Sequence, residues 1–349
     1  MYILLAIASV AFLIVVHEGG HYFVARWCQM RIERFSVGFG PGILKKKSKK
    51  TGTVFQLAPI PFGGFVEIRG MNIAEDVDPD DKHAYPNRPA WQRFVTIFAG
   101  PATNYLSAIV LMMAVYTCHG VDTPRWYGVD GTIDGFDAHG KLEAGDRILE
   151  VDHAPLVLGV KPTLNERINA AKGAPVTLTI ERKGQRRDVA ITPKLDPDKD
   201  RKGNLLIGVK LQQQNEIADV GVLEAAQLAL RYPVEETKKI GMMLYGIVFG
   251  SEKADPGGPI RMVEEFRNAF SAGIVHGIYL LAGLSVYLGL FNLLPIPALD
   301  GGRLVFLGYE LITRRRANPK IEAMVHMAGI MALGVLMILV LIVDVRHLF

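Results

Sequence analysis

His17-Glu18-Gly19-Gly20-His21 closes an almost unbroken apolar run from Tyr2 to Val16, and the reading of this stretch decides the fold. Residues four apart share one face of a helix, so His17 and His21 can both address one metal ion while Glu18 stands beside it. This is the H-E-x-x-H pattern of zinc hydrolases. The same five residues could also end an ordinary surface helix. Ionisable groups set in a membrane-length apolar segment are costly and usually functional, which favours the metal. His17 falls about 25 Å along a helix that must cross roughly 30 Å of hydrocarbon, so the metal is expected at membrane depth, near one face. Gly19 and Gly20 each cost up to about 1 kcal/mol in a helix relative to Ala. Close approach of another helix, or of a substrate backbone, would account for them.

Half of the 349 residues are apolar, and they are gathered in blocks. Four blocks have about the length of a span: Tyr2 to Trp27, Phe94 to Cys118, Gly273 to Leu299 and Met324 to Val343. The first lacks the basic start and small-x-small cleavage site of a signal peptide, so it is kept as a span. The expected plan is a first span over 1–27, a loop over 28–93, a second span over 94–118 and an outer domain over 119–212. An amphipathic juxtamembrane helix and linker over 213–272, a third span over 273–302, a loop over 303–323 and a last span with the C-terminus over 324–349 complete it.

Orientation follows from basic residues near the span ends. Arg26, Arg31, Arg34 and Lys45, Lys46, Lys47, Lys49 and Lys50 lie between the first two spans, and Arg314, Arg315, Arg316 and Lys320 between the last two. Both links are therefore expected in the cytoplasm, with the termini and the outer domain on the other side. The net charge of +4 is then mostly a topology signal. The lysine cluster suits anionic lipid, and nothing in the chain suggests a nucleic-acid partner. Cys28 and Cys118 fall on opposite sides and should not pair.

In the first loop, Phe35 to Gly42 and Thr53 to Ile68 alternate β-branched and aromatic residues between prolines and glycines, which predicts a hairpin of short strands. An exposed strand edge beside a metal could hold an unwound substrate as an added strand; an ordinary cytoplasmic hairpin would read the same. His83 is expected on the surface. In the second span, Gly100-Pro-Ala-Thr-Asn104 sets a proline and an amide in apolar surroundings, and Asn104 is read as structural support. Outside the membrane, a small mixed domain is expected over about 129–211, with strands at 176–180, 188–191 and 205–210 and a short helix over 163–171. Glu143-Ala-Gly-Asp-Arg-Ile-Leu-Glu-Val-Asp152 resembles a PDZ signature, which suggests a peptide filter or a steric gate. Residues 196–203 read as a surface turn, Val222 to Phe249 as an amphipathic helix on the outer leaflet, and Ser251 to Pro259 as its break.

The third span holds Phe291-Asn-Leu-Leu-Pro-Ile-Pro-Ala-Leu-Asp-Gly-Gly302. Pro295 and Pro297 forbid a regular helix, and the charge-derived topology puts Asp300 at the depth of His17 and His21. Two histidines and a carboxylate, with water in the fourth position, form a catalytic zinc set.

Taken together, HEGGH, the Gly-Phe-Gly and Pro-Phe-Gly-Gly hairpin, Gly100 to Asn104, the PDZ-like run and Asn292 to Gly301 resemble the site-2 protease family of intramembrane zinc metalloproteases (M50 type), in its RseP-like branch. The likeness covers nearly the whole chain. It implies one zinc held by His17, His21 and Asp300, with Glu18 as general base. It also implies that Asn292 and the Gly63-Gly64 hairpin seat an unwound, single-span membrane protein already shortened by another protease, such as an anti-sigma factor or a remnant signal peptide. The implied setting is the bacterial inner membrane. Gly19 stands where such proteases often carry a larger apolar residue, and there is room for one PDZ-like domain where RseP relatives often have two. The expected fold is thus a polytopic α-helical membrane protein with four transmembrane helices, a membrane-associated β-hairpin and one extracytoplasmic PDZ-like α+β domain. A non-enzymatic PDZ-type scaffold binding envelope peptides is the rival; a metal carrier would need more ligands along a path. Glu18 discriminates, since neither rival needs a carboxylate beside the first histidine.

Overall fold

The computed structural model describes residues 2–72, 75–156, 161–195, 204–250 and 258–346. The expected turn over 196–203 and most of the break at Ser251 to Pro259 lie outside them. In chain order come α1 (Tyr2–Trp27), β1 (Ile32–Phe39), β2 (Leu44–Lys47), β3 (Val54–Leu57), β4 (Ile60–Ile68) and α2 (Ala90–Cys118). Next are β5 (Val121–Thr132), β6 (Arg147–Val151), β7 (Ala154–Pro155), α3 (Leu164–Ala170), β8 (Val176–Arg182), β9 (Gln185–Ile191), β10 (Lys194–Leu195), β11 (Leu205–Leu206) and β12 (Val209–Ala218). The chain ends with α4 (Val222–Val248), α5 (Pro259–Ala272), α6 (Ile274–Leu293), α7 (Asp300–Thr313) and α8 (Pro319–Arg346). It divides into two units, Met1–Cys118 with Gly221–Phe349, and His119–Val220.

Four helices of the first unit are long and apolar enough to cross a membrane, over Leu4–Trp27, Ala90–Cys118, Ile274–Leu293 and Pro319–Ile342. With no water to drive apolar surfaces together, spans associate through small residues and polar contacts. Here α2 supplies both. Ala108 and Met112 of α2 are fully buried against Ala229 of α4 and Ala282 and Val286 of α6. Ser107 Oγ and Ser285 Oγ meet at 2.7 Å, and Tyr105 Oη and Thr237 Oγ1 at 3.0 Å. The apolar face of α4 is thus spent partly on α2 and α6, where the sequence suggested a helix lying on lipid.

The third span is shorter than the 273–302 expected. Helix α6 stops at Leu293, Leu294 is extended, and Asp300 opens a separate helix. Pro295 and Pro297 cause this, because each lacks an N–H and drives the residue before it out of the helical region.

The hairpin expectation is also corrected. The first loop forms a four-stranded mixed sheet in the order β2-β3-β1-β4, with β3 parallel and β4 antiparallel to β1. β3 and β4 therefore do not pair with each other; they flank β1 and pair with its two backbone edges. The crossing passes over Gly38, where φ is +91° and a Cβ would meet the Ala58 carbonyl at 2.6 Å. β4 is left as an edge strand.

The second unit is an antiparallel sheet in the order β12-β5-β6-β8-β9, with β7 on β6, a separate β10-β11 pair and the helix α3. Its core is formed by Ile148, Leu164, Ile168, Leu178, Ile180 and Ile191. Thr163 and Glu166 form a capping box at the start of α3. β12 runs on to Ala218, pairing with β5 as far as Val121, so the unit ends later than the expected residue 212. The polar run Gln212-Gln-Gln-Asn215 shows no apolar alternation, which hid this ribbon from pattern reading.

Candidate metal centre

Helix α1 puts His17 and His21 on one face, and the turn after α6 brings in the first residue of α7. His17 Nε2 and His21 Nε2 each lie 3.2 Å from Asp300 Oδ2, and 3.3 Å from each other. Four bonds of about 2.0–2.1 Å directed tetrahedrally would separate their donor atoms by roughly 3.3–3.4 Å, so the triangle fits zinc. His21 Nδ1 lies 2.8 Å from the Thr96 carbonyl, which can only accept. The neutral ring therefore carries its proton on Nδ1 and turns a bare Nε2 lone pair toward Asp300. Lone pairs converging in a buried pocket repel unless a cation lies between them, and His17 and His21 are each 8% exposed. Among the described residues these three form the one group of His, Cys, Asp and Glu able to hold a metal.

The neighbours are cut to size around this triangle. A Cβ on Gly100 would strike the His21 ring, with Cε1 at 2.5 Å, and His17 Cε1 at 3.0 Å. A Cβ on Gly20 would meet Thr103 Oγ1 at 2.5 Å and the Ala99 carbonyl carbon at 2.7 Å, so Gly20 is the close helix approach that the sequence called for. Thr103 Oγ donates to the Val16 carbonyl at 2.9 Å across the same contact. Gly19 faces only Phe23, at an ordinary 3.9 Å. Asn104 reaches His17 Nδ1 with its amide, 3.0 Å away, so its support is aimed at the ring of a candidate ligand.

Glu18 is half-buried beside the triangle, with the Val66 backbone N–H of β4 donating to its carboxylate. His17, Glu18, His21 and Asp300 share a cavity of about 820 Å³ with Gly63, Gly64 and Asn292. Gly64 has no room for a side chain: a Cβ would meet Ile14 Cγ2 at 2.6 Å and Glu18 Cγ at 3.2 Å. Asn292 donates to the Leu288 carbonyl of its own helix at 3.0 Å. His83 is exposed, as expected, with Nδ1 2.8 Å from the Gln29 carbonyl.

Three contributors were missed in the sequence. Thr96 acts through its carbonyl and left no side-chain signal. Gly100 acts by having no side chain. Arg93, 5% exposed, reaches Glu310 of α7 at 2.5 Å and the Arg88 carbonyl at 3.0 Å, tying the start of α2 to the helix that begins with Asp300.

The sequence model of peptidase family M50 matches residues 5–337. A Rickettsia conorii protein named a zinc metalloprotease is 30% identical over 354 residues, covering 98% of each chain. One of the same name type from Mesorhizobium japonicum is 30% identical with 91% of each chain covered. Another, from Fusobacterium nucleatum, is 28% identical with 100% of each chain covered.

Proposed function

The chain belongs to peptidase family M50, membrane zinc metalloproteases, and from that premise we propose that it hydrolyses peptide bonds within or near the transmembrane segment of single-span membrane proteins. The observation that carries this reading is the His17, His21 and Asp300 triangle, with its 3.2–3.3 Å edges, beside Glu18 in a cavity bordered by the edge strand β4.

His17, His21 and Asp300 would hold the zinc, which when bound would supply Lewis-acid activation of water and of the scissile carbonyl. Glu18 takes a proton from the attacking water and, as the C–N bond breaks, hands it to the leaving amine. A helical substrate hides its peptide bonds, so it must be drawn out straight. The outer edge of β4 gives it backbone partners as an added strand, and Gly63 and Gly64 let its main chain come close to Glu18. Asn292 lines the same cavity and helps to seat the unwound segment.

The cleavage is the second of a relay: another protease first shortens the substrate, an anti-sigma factor or a remnant signal peptide. The PDZ-like outer unit acts as the filter or gate for that step. The protein works in the bacterial inner membrane, with the zinc toward the cytoplasmic side and both termini outside. Reconstitution tests this. Wild-type protein in liposomes is expected to cut a shortened single-span substrate in its apolar segment, and Glu18→Gln to leave it whole. Equal cleavage by both would end the catalytic assignment.

A further inference from the structure

The cavity has a second wall. Besides β4 residues it is lined by Ala323, His326 and Met327 of α8. His326 is 9% exposed, and its Nδ1 accepts the Ala298 backbone N–H at 3.2 Å. A ring nitrogen that accepts carries no proton, so the neutral ring bears its hydrogen on Nε2. Nε2 is enclosed, and none of the described residues accepts from it. Native structures rarely bury a donor without an acceptor, and such a group asks for an explanation. The ring cannot simply turn over to find one. Ala298 has φ of +79°, a conformation that a non-glycine residue keeps only where its surroundings hold it, and the bond to Nδ1 is part of that hold.

We propose that His326 is a substrate-binding residue, whose Nε2–H donates to a main-chain carbonyl oxygen of the polypeptide lying along β4. The inference rests on the reading of this cavity as a protease cleft. A strand added to β4 satisfies the backbone groups on one of its edges. Those on the other edge are left to the rest of the cavity lining, at membrane depth, where water is scarce and each unpaired carbonyl is costly. Of the α8 residues Ala323, His326 and Met327, His326 alone has a side-chain N–H to give, and the substrate supplies the acceptor that its Nε2 lacks.

Two variants separate the ends of the ring. The amide oxygen of His326→Asn can replace Nδ1 and keep Ala298 satisfied while the cavity donor is deleted. The longer His326→Gln can present an amide N–H where Nε2 stood. Both are made in the full-length, zinc-loaded Glu18→Gln protein in detergent. The probe is a fluorescently labelled membrane-spanning peptide with Gly-Pro at its centre, followed by anisotropy, with zinc content and melting temperature measured in parallel. His326→Asn is expected to bind about tenfold more weakly at unchanged zinc content and melting temperature, and His326→Gln to stay within about threefold of its parent. Binding by His326→Asn within twofold of the parent would overturn the proposal, as would a loss of zinc and stability that accounts for weaker binding. Failure of the parent itself to bind the peptide would bring down the cleft reading, and the proposal with it.

Discussion

Asn104 and His17 meet across the first two spans, with the amide of one 3.0 Å from Nδ1 of the other. Asn104 Nδ2 is the near end, and Oδ1 is enclosed without a partner among the described residues. Half a turn of the amide exchanges the ends. Oδ1 then accepts from Nδ1–H, and Nε2 keeps its lone pair for a metal, as the Thr96 carbonyl already ensures at His21. Asn104→Ala should therefore weaken zinc binding about 10–100-fold, while Asn104→Asp, which still accepts, should lose less. Competition with a chelator reads the difference; equal affinity in all three proteins would make Asn104 a packing residue only.

The glycines near the site predict opposite outcomes for the same change. In a helix, Gly→Ala gains about 1 kcal/mol by propensity. At Gly100 the new methyl would press on both imidazole rings, so Gly100→Ala should lose zinc while the helix itself is favoured. Gly20→Ala should force α1 and α2 apart and lower the melting temperature. Gly19→Ala makes only an ordinary contact with Phe23 and should keep zinc and activity within about threefold. Measured zinc content and melting temperature for the three would reveal any departure from this order.

Arg93 and Glu310 form a buried ion pair between α2 and α7. Removing one partner leaves the other charge uncompensated, so Arg93→Met or Glu310→Met should each destabilise by about 3–5 kcal/mol, and the double change by less than either. Because α7 begins with Asp300, the single variants should also release zinc faster. A double variant as unstable as the sum of the singles would show that the two residues act independently.

A pH dependence is expected in the second unit. Burial works to raise the pKa of Asp146, but the Arg182 guanidinium, at 2.7 and 2.6 Å, and the Glu143 N–H, at 2.9 Å, more than offset it and hold the carboxyl below its ordinary value. A depressed folded pKa gives stability that is present above the unfolded value, near 3.9, and is lost as the pH falls through the folded one. Hydrogen exchange of β6 and β8 in the full-length protein should stay slow at pH 7 and quicken below about pH 4. Asp146→Asn should exchange roughly 10–100-fold faster at pH 7 and respond less to acid. An unchanged acid response in Asp146→Asn would assign the transition to other groups.

How far the sequence could be read follows from where its signals lie. Four spans and the pairing of HEGGH with a distant aspartate were legible because apolar length, basic flanks and ligand chemistry are carried by side-chain type. The arrangement of strands was not. Whether residues 53–68 fold on themselves or around β1 depends on the crossing at Gly38, and β12 of the β5-β12 ribbon carries the polar run 212–215 where apolar alternation would mark a strand. The end of α6 at Leu293 was written in Pro295 and Pro297, yet the apolar count ran on through them. Around His17, His21 and Asp300, the sequence pointed to the three side chains but not to their setting, because Thr96 acts by a backbone carbonyl and Gly100 by an absent methyl.

The central claim is that α1 and α7 hold one zinc between them. Metal content of the full-length protein purified in detergent under zinc-replete conditions, beside His17→Ala, Asp300→Ala and Glu18→Gln prepared alike, tests it most directly. The account predicts about one zinc per chain in the wild type and in Glu18→Gln, and a loss in both ligand variants. Zinc that stays in His17→Ala and Asp300→Ala, or a wild type that takes up none, would contradict it.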